Sequence, residues 1–448
     1  MARPQKEVRR ERRTPELSPK KTRFGFDPTQ LGVWLLILVP PFVFRTDSTD
    51  NFRLPKLLYT ETLAALALAF LAFRLAKIDR IELAALGQRL RREPVLWAVL
   101  PLLLIAGLGA LVAEHPERTT GAYASLGVAC AFLVGLTLAL APRERESLLR
   151  LLCWPAAAIA VLGILQFHGL VQPFGFAQEL TERLLLTSLA GGAFDLSAYL
   201  VLPAFFALRQ LATADARRGR LIWGLLAALF VYGIAISQTL TVLLGFVAGS
   251  AILGFYCLRP YFWRIFGGLA ATVVLLVLLV APLRGRFEHA RQAIADQDYN
   301  QLLSGRLDAW RVALRMLADH PWQGVGHGAY RSEFGDTKMT LTREGTEFFL
   351  GHRGAYFTNA HNELLEVGAE LGWPGLLAAL WAIFVVARQA WAQRRGSPPR
   401  VGLELGMLAA MLVISLGNFP FHVALIAYPW LIFLSGVLAR DSAEEAAP

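Results

Sequence analysis

The chain has 448 residues, of which 55% are hydrophobic and 17% charged, with a formal net charge of +10. That balance excludes a soluble globular protein: largely apolar windows of about 18–20 residues recur, the length a helix needs to cross roughly 30 Å of hydrocarbon. The positive charge lies in short segments beside those windows, which marks it as a topology signal and argues against a nucleic-acid surface.

In chain order, residues 1–30 are basic and polar and predict a disordered cytoplasmic tail with no cleavable signal peptide. Apolar runs then predict about twelve helical spans, at 31–44, 55–73, 94–113, 121–141, 148–166, 189–208, 221–236, 238–258, 263–281, 373–388, 401–417 and 421–439. The three cysteines, Cys130, Cys153 and Cys257, all fall inside spans and offer no disulfide framework or zinc site. With the N-terminus inside, about 29 Lys and Arg fall in inner segments and about five in short outer ones. Both termini are then cytoplasmic, and the one long polar insert, 282–372, lies outside. The expected architecture is an all-α integral membrane protein. It comprises a membrane domain of about nine helices (31–281), a periplasmic loop with two short helices (282–372), about three further spans (373–439) and a tail (440–448).

Five of the eight histidines fall in the insert: His289, His320, His327, His352 and His361. Leu307, Trp310, Leu314 and Leu317 recur at helical spacing and predict an amphipathic helix over 304–318, with Ser304 as its cap and His320-Pro321 as its end. A second helix is expected over 359–371, capped by Thr358 or Asn359 and stopped by Gly372. Leu364, Leu365 and Gly368 make one of its faces, and Glu363, Glu366 and Glu370 an acidic stripe on another. Residues 335–357 show no clear periodicity and read as a flap.

Chemistry can be placed on several of these residues. His361, on the first turn of the second helix, can titrate near neutral pH and act as a general base, with Asn362 and Glu363 orienting the ring or a substrate. The competing reading is a capping histidine. Arg306 lies at a helix start, where the dipole and an arginine fork favour phosphate or diphosphate; a surface ion pair is the alternative. Arg311 and Arg315 read as solvated, with Asp308 placed to neutralise either of them. Gly324-Val325-Gly326-His327-Gly328 has no following Lys-Ser/Thr and reads as a tight turn. Asp195 near a span end needs a wet cavity or a partner. Gln238 stands at an outer boundary, and His168, Glu179, Glu182 and Arg183 lie in another outer loop. No HExxH pattern occurs, and Asp296-Gln297-Asp298 reads as a solvated turn.

Taken together, the spans, the late outer loop, Ser304-Gly305-Arg306 with Trp310, His320-Pro321…Gly324-Val325-Gly326, and His361-Asn362…Glu366…Glu370-Leu371-Gly372…Gly375 resemble the O-antigen ligase and O-antigen polymerase superfamily. The resemblance is strongest over about 300–380. It implies a GT-C type glycosyltransferase of the bacterial inner membrane that takes a glycan from undecaprenyl diphosphate without cofactor, metal or nucleotide. The acceptor is lipid A-core for a ligase, another lipid-linked repeat for a polymerase, or a protein hydroxyl in related enzymes. By motif, His361 matches the family's base and Arg306 its loop arginine. The chain departs from the pattern at Ser237-Gln238-Thr239-Leu240-Thr241, where many members carry an arginine, and at Asp195, where many carry Asn. Arg284 or Arg286 is the expected substitute for the missing arginine. A non-enzymatic transporter is the rival, although its polar groups belong near the bilayer midplane and these lie at the outer boundary.

Overall fold

The structure, a computed structural model, describes residues 28–46, 50–77, 93–113, 115–172, 186–259, 305–348, 356–393 and 397–439, with scattered positions in 84–91, 263–267 and 288–303. Every regular element among these residues is helical.

The chain opens with α1 (Pro28–Leu38), which Pro40 and Pro41 convert to a short 3-10 turn because neither can donate a backbone hydrogen bond. Then come α2 (Arg53–Leu75), α3 (Pro94–Val112), α4 (Pro116–Ala139), α5 (Pro142–Phe167), α6 (Ala193–Thr213), α7 (Arg217–Ile236) and α8 (Leu240–Cys257). The insert contributes α9 (Arg306–Asp319) and α10 (Tyr330–Arg343), and the chain ends with α11 (Glu363–Ala392), α12 (Pro398–Ser415) and α13 (Ala424–Leu438). Among the described residues nine helices are long and apolar enough to cross a membrane, and Leu31–Phe42 and Ala424–Leu438 are shorter apolar helices. The span expected at 263–281 and the tails at 1–27 and 440–448 lie outside the described residues, apart from positions 263 and 267.

Burial separates the helices into two kinds. In α6 every residue from Asp195 to Ala207 is buried, and α13 is buried nearly all round, as expected for helices that are apolar on every face and lie at the centre. By contrast α3 exposes Trp97, Leu104, Leu108 and Leu111 outward, a face suited to lipid.

The insert folds differently from its sequence pattern in three places. In α9 the buried face is Asp308, Ala309, Val312, Ala313, Met316 and Leu317, while Leu314 is exposed. Both faces satisfy helical spacing; the one with small residues wins because it lets α9 pack closely against α11. Next, residues 330–343 are helical, within and just ahead of the stretch read as a flap. Tyr330 and Phe334, one turn apart, anchor α10 in a small core with Val312, Met316 and Ala360. Thirdly, α11 begins at Glu363, not 359. Asn362 is its cap, its side-chain oxygen accepting from Leu364 and Leu365 N–H at 3.1 Å each. Ser304, the cap expected for α9, lies outside the described residues; Gly305 holds that position with a left-handed backbone.

Helix α11 runs through a bend at Gly372 (φ 65, ψ −168). The break leaves backbone groups without helical partners, and the turn after α9 supplies them: Pro321 O accepts from Trp373 N–H at 2.8 Å, and Val325 and Gly326 N–H donate to Ala369 and Glu370 O at 3.0 and 2.9 Å. The two backbones lie so close that a Cβ on Gly324 would stand 2.2 Å from the Glu370 carbonyl carbon. The glycine-rich segment therefore fastens the insert to the bent helix.

Candidate active site at the loop end of the bundle

The end of the bundle that carries the insert gathers residues from several distant stretches of chain. Helix α2 supplies Arg53 at its first position, where Asp50 Oδ1 accepts from Phe52 and Arg53 N–H at 3.2 and 2.8 Å. Helix α6 supplies Asp195 in its first turn, and the two side chains form a bidentate pair, Nε–Oδ2 and Nη2–Oδ1 both at 2.8 Å. Asp195 is fully buried and is neutralised by this fork, which answers the need for a partner that its position raised. Arg53 remains 39% exposed, and its guanidinium lies 5.1 Å from the centre of the Phe419 ring.

On the other side of Phe419 is His361. The two rings meet edge to face at 4.9 Å, and Phe357 makes a second edge-to-face contact with the imidazole at 5.9 Å. His361 precedes α11 rather than belonging to its first turn, and its φ of 53° puts it in the left-handed region. For a residue with a Cβ this conformation costs about 1–3 kcal/mol, and the surroundings must hold it. Burial pushes the His361 pKa down, and the charges of Arg306 and Arg53 push it the same way, against a hydrogen bond with Asn418; it falls to about 4. The imidazole is therefore neutral at physiological pH. Its Nδ1 is buried without a hydrogen-bond partner. Asn418 also donates to Thr241 Oγ1, which ties the start of α8 to the site.

Behind His361, the acidic stripe of α11 faces inward. Glu363, Glu366 and Glu370 are all buried. His422 bridges the first two, with Nδ1 3.3 Å from Glu363 and Nε2 3.3 Å from Glu366. Burial works against a charge on His422, but Glu366 and Glu363 outweigh it and raise its pKa to about 10, so it stays protonated between them. Glu370 pairs with His327 Nδ1 at 3.0 Å and accepts from Tyr330 N–H at 3.2 Å.

Of the residues singled out in sequence, His361, Arg306 and Asp195 come together here, Asp195 through Arg53 and Arg306 through its charge on the imidazole. Asn362 is occupied by capping and by a 3.1 Å bond from its Nδ2 to Leu416 O. Glu363 turns away from His361, accepting from Phe421 N–H at 2.8 Å and pairing with His422. Gln238 sits half-buried in the turn between α7 and α8, with a left-handed φ of 53°. Arg315 is held by Asp319 and Glu344, and Arg311 by Asp308, so neither is simply solvated. Arg284, Arg286, His289, His352, Glu179, Glu182 and Arg183 lie outside the described residues.

Sequence reasoning missed Arg53, Asn418, Phe419 and His422. Arg53 and Lys56 lie in a short segment on the outer side, where their local sequence shows only charge. Two cations one helical turn apart at a span start, against the usual inside bias, together with a lone Asp195 in an apolar helix, were the available signal.

Residues 225–380 match the family model described as O-antigen ligase, a stretch that runs from α7 through the insert to the first half of α11 beyond its bend. No curated protein matches the chain significantly.

Proposed function

Residues 225–380 make the chain a member of the O-antigen ligase superfamily, and on that premise we propose that it moves a glycan from undecaprenyl diphosphate to a lipid A-core hydroxyl at the periplasmic face of the inner membrane. The family is one of membrane enzymes of glycosyltransferase type, and the helical spans agree with that setting. The observation that carries the reading is His361 at a bundle end, its ring against Phe419, which also contacts Arg53, with the charges of Arg306 and Arg53 acting on the imidazole.

The chemistry follows from those charges. An acceptor hydroxyl has a pKa far above 7, so removing its proton in the transition state helps by about 10²–10⁴. Neutral His361 takes that proton as the hydroxyl oxygen bonds to the anomeric carbon of the donor sugar. The bond from that carbon to the diphosphate oxygen breaks with its electron pair, and undecaprenyl diphosphate leaves. The leaving group needs positive charge rather than a proton, and Arg306 and Arg53 supply it; removing one such donor costs about 10²–10³ in rate. Arg53 is a second donor in this reading, beside the part expected of Arg284 or Arg286, which lie outside the described residues. Asp195 fixes the Arg53 fork and its direction. One displacement from the face opposite the leaving group inverts the anomeric centre, and no step calls on a metal or cofactor.

The test is a deletion strain complemented with His361→Ala or Arg306→Ala. Both variants are expected to reach the membrane intact and to leave lipid A-core without polymer. Normal glycan ladders from either would overturn the assignment of that residue. If deletion instead leaves single repeats on the core, the acceptor is another lipid-linked repeat; unchanged lipopolysaccharide with underglycosylated protein assigns the enzyme to protein hydroxyls.

A further inference from the structure

The turn that carries His361 is fixed from outside the reacting groups. Ala360 N–H donates to Glu366 Oε2 at 2.8 Å, and Asn359 Nδ2 donates to Glu366 Oε1 at 2.8 Å. His422 touches the same carboxylate and passes the connection to Glu363, which accepts from Phe421 N–H. One buried carboxylate thus joins the turn at 359–362 to α11 and, through His422, to the turn at 419–422. That second turn bears Phe419, which lies against both His361 and Arg53.

We infer that Glu366 and His422 are positioning residues, whose carboxylate–imidazole bridge holds His361 in its left-handed conformation and in register with Arg53. Neither touches the groups that react. Glu366 is buried beside two further carboxylates, an arrangement that a protein built only for packing would avoid, since buried acids cost stability unless each is matched by a cation or donors. Here each donor comes from a segment that must be held still. The cation is His422, and Glu363, Glu366 and Glu370 are the acids whose charges act on it. A small displacement of a base from its partner costs as much as about 10² in rate, which is the benefit a rigid turn confers. The inference rests on His361 being the base of the transfer proposed above.

The test uses the full-length protein in lipid nanodiscs with two variants, Glu366→Gln and Asn359→Ala. The first removes the charge that binds His422, and the second removes only a half-buried side chain that reports on Glu366. Two readouts are taken: transfer kinetics, and the rate at which diethyl pyrocarbonate modifies His361, followed by peptide mass spectrometry. The wild-type imidazole is expected to react slowly, with little change over about pH 5.5–8, because its Nδ1 is buried and the ring is already neutral. In both variants modification speeds up, because a loosened turn exposes the ring. kcat falls by about tenfold or more in Glu366→Gln and by less in Asn359→Ala, with donor KM unchanged because the arginines remain. Wild-type modification and kcat in Asn359→Ala would overturn the inference even if Glu366→Gln fails to fold, as would a loss that falls on donor KM. If the wild type transfers no glycan, the reaction reading fails, while the modification profile still decides the role of Glu366.

Discussion

His361 is kept unprotonated before any substrate arrives, which is the form the proposed base requires. Its pKa is lowered to about 4 by burial and by the charges of Arg306 and Arg53. The sign is that of a histidine losing its charge: the neutral form is present above about pH 4 and is lost as pH falls through that value. The acid limb of kcat/KM, which reports the free enzyme, is therefore expected near pH 4 instead of near 6.5. A bound diphosphate offsets the two arginines, so the limb of kcat is expected at higher pH. A free-enzyme limb at 6 or above would contradict the electrostatic account. The Arg53–Asp195 fork makes a second demand. Arg53→Lys keeps the charge but not the two parallel bonds, and is expected to retain more transfer than Arg53→Ala, while Asp195→Asn lowers kcat by about tenfold through loss of orientation. Equal activity of all three with wild type would remove Arg53 from the site.

At the level of elements, the spans were legible because about 20 apolar residues in a row admit few other structures. The insert was legible only in part. Arg306 and His361 stood out because each lies at or beside a helix start in a polar stretch. The packing around them did not, because two stripes of α9 satisfy the same period and only the neighbouring helix decides between them. The acidic stripe Glu363, Glu366 and Glu370 is buried, because His422, His327 and backbone N–H groups from distant segments satisfy it. Arg53 was hidden for the same reason, since its partner lies in a helix far along the chain. The bend in α11 carries its own prediction. Gly324 has φ 65 and touches the backbone at Glu370, so Gly324→Ala is expected to lower stability by about 1–3 kcal/mol or more and to loosen the insert first. Thermal unfolding in detergent, with proteolysis of the insert as a local probe, measures both; an unchanged midpoint and cleavage rate would contradict the fastening role.

For the whole molecule, the insert, Arg53 and His361 are expected to face the side on which lipid-linked glycan is used. Cysteines placed at Glu344, in the insert, and Asp215, in the turn between α6 and α7 at the other end, are expected to differ: the first reacts with an impermeant maleimide from outside and the second only after lysis. The reverse pattern would contradict the charge-based orientation. A transporter of lipid-linked glycan would share this topology, so topology alone does not separate it from an enzyme. The most direct measurement is transfer by the purified protein in liposomes supplied with an undecaprenyl-diphosphate-linked glycan and lipid A-core, in the presence of a metal chelator. A new glycosidic bond of inverted configuration is expected with wild type and none with His361→Ala. Bond formation by His361→Ala at the wild-type rate, or movement of the donor across the bilayer without any bond formed, would contradict the proposed transfer.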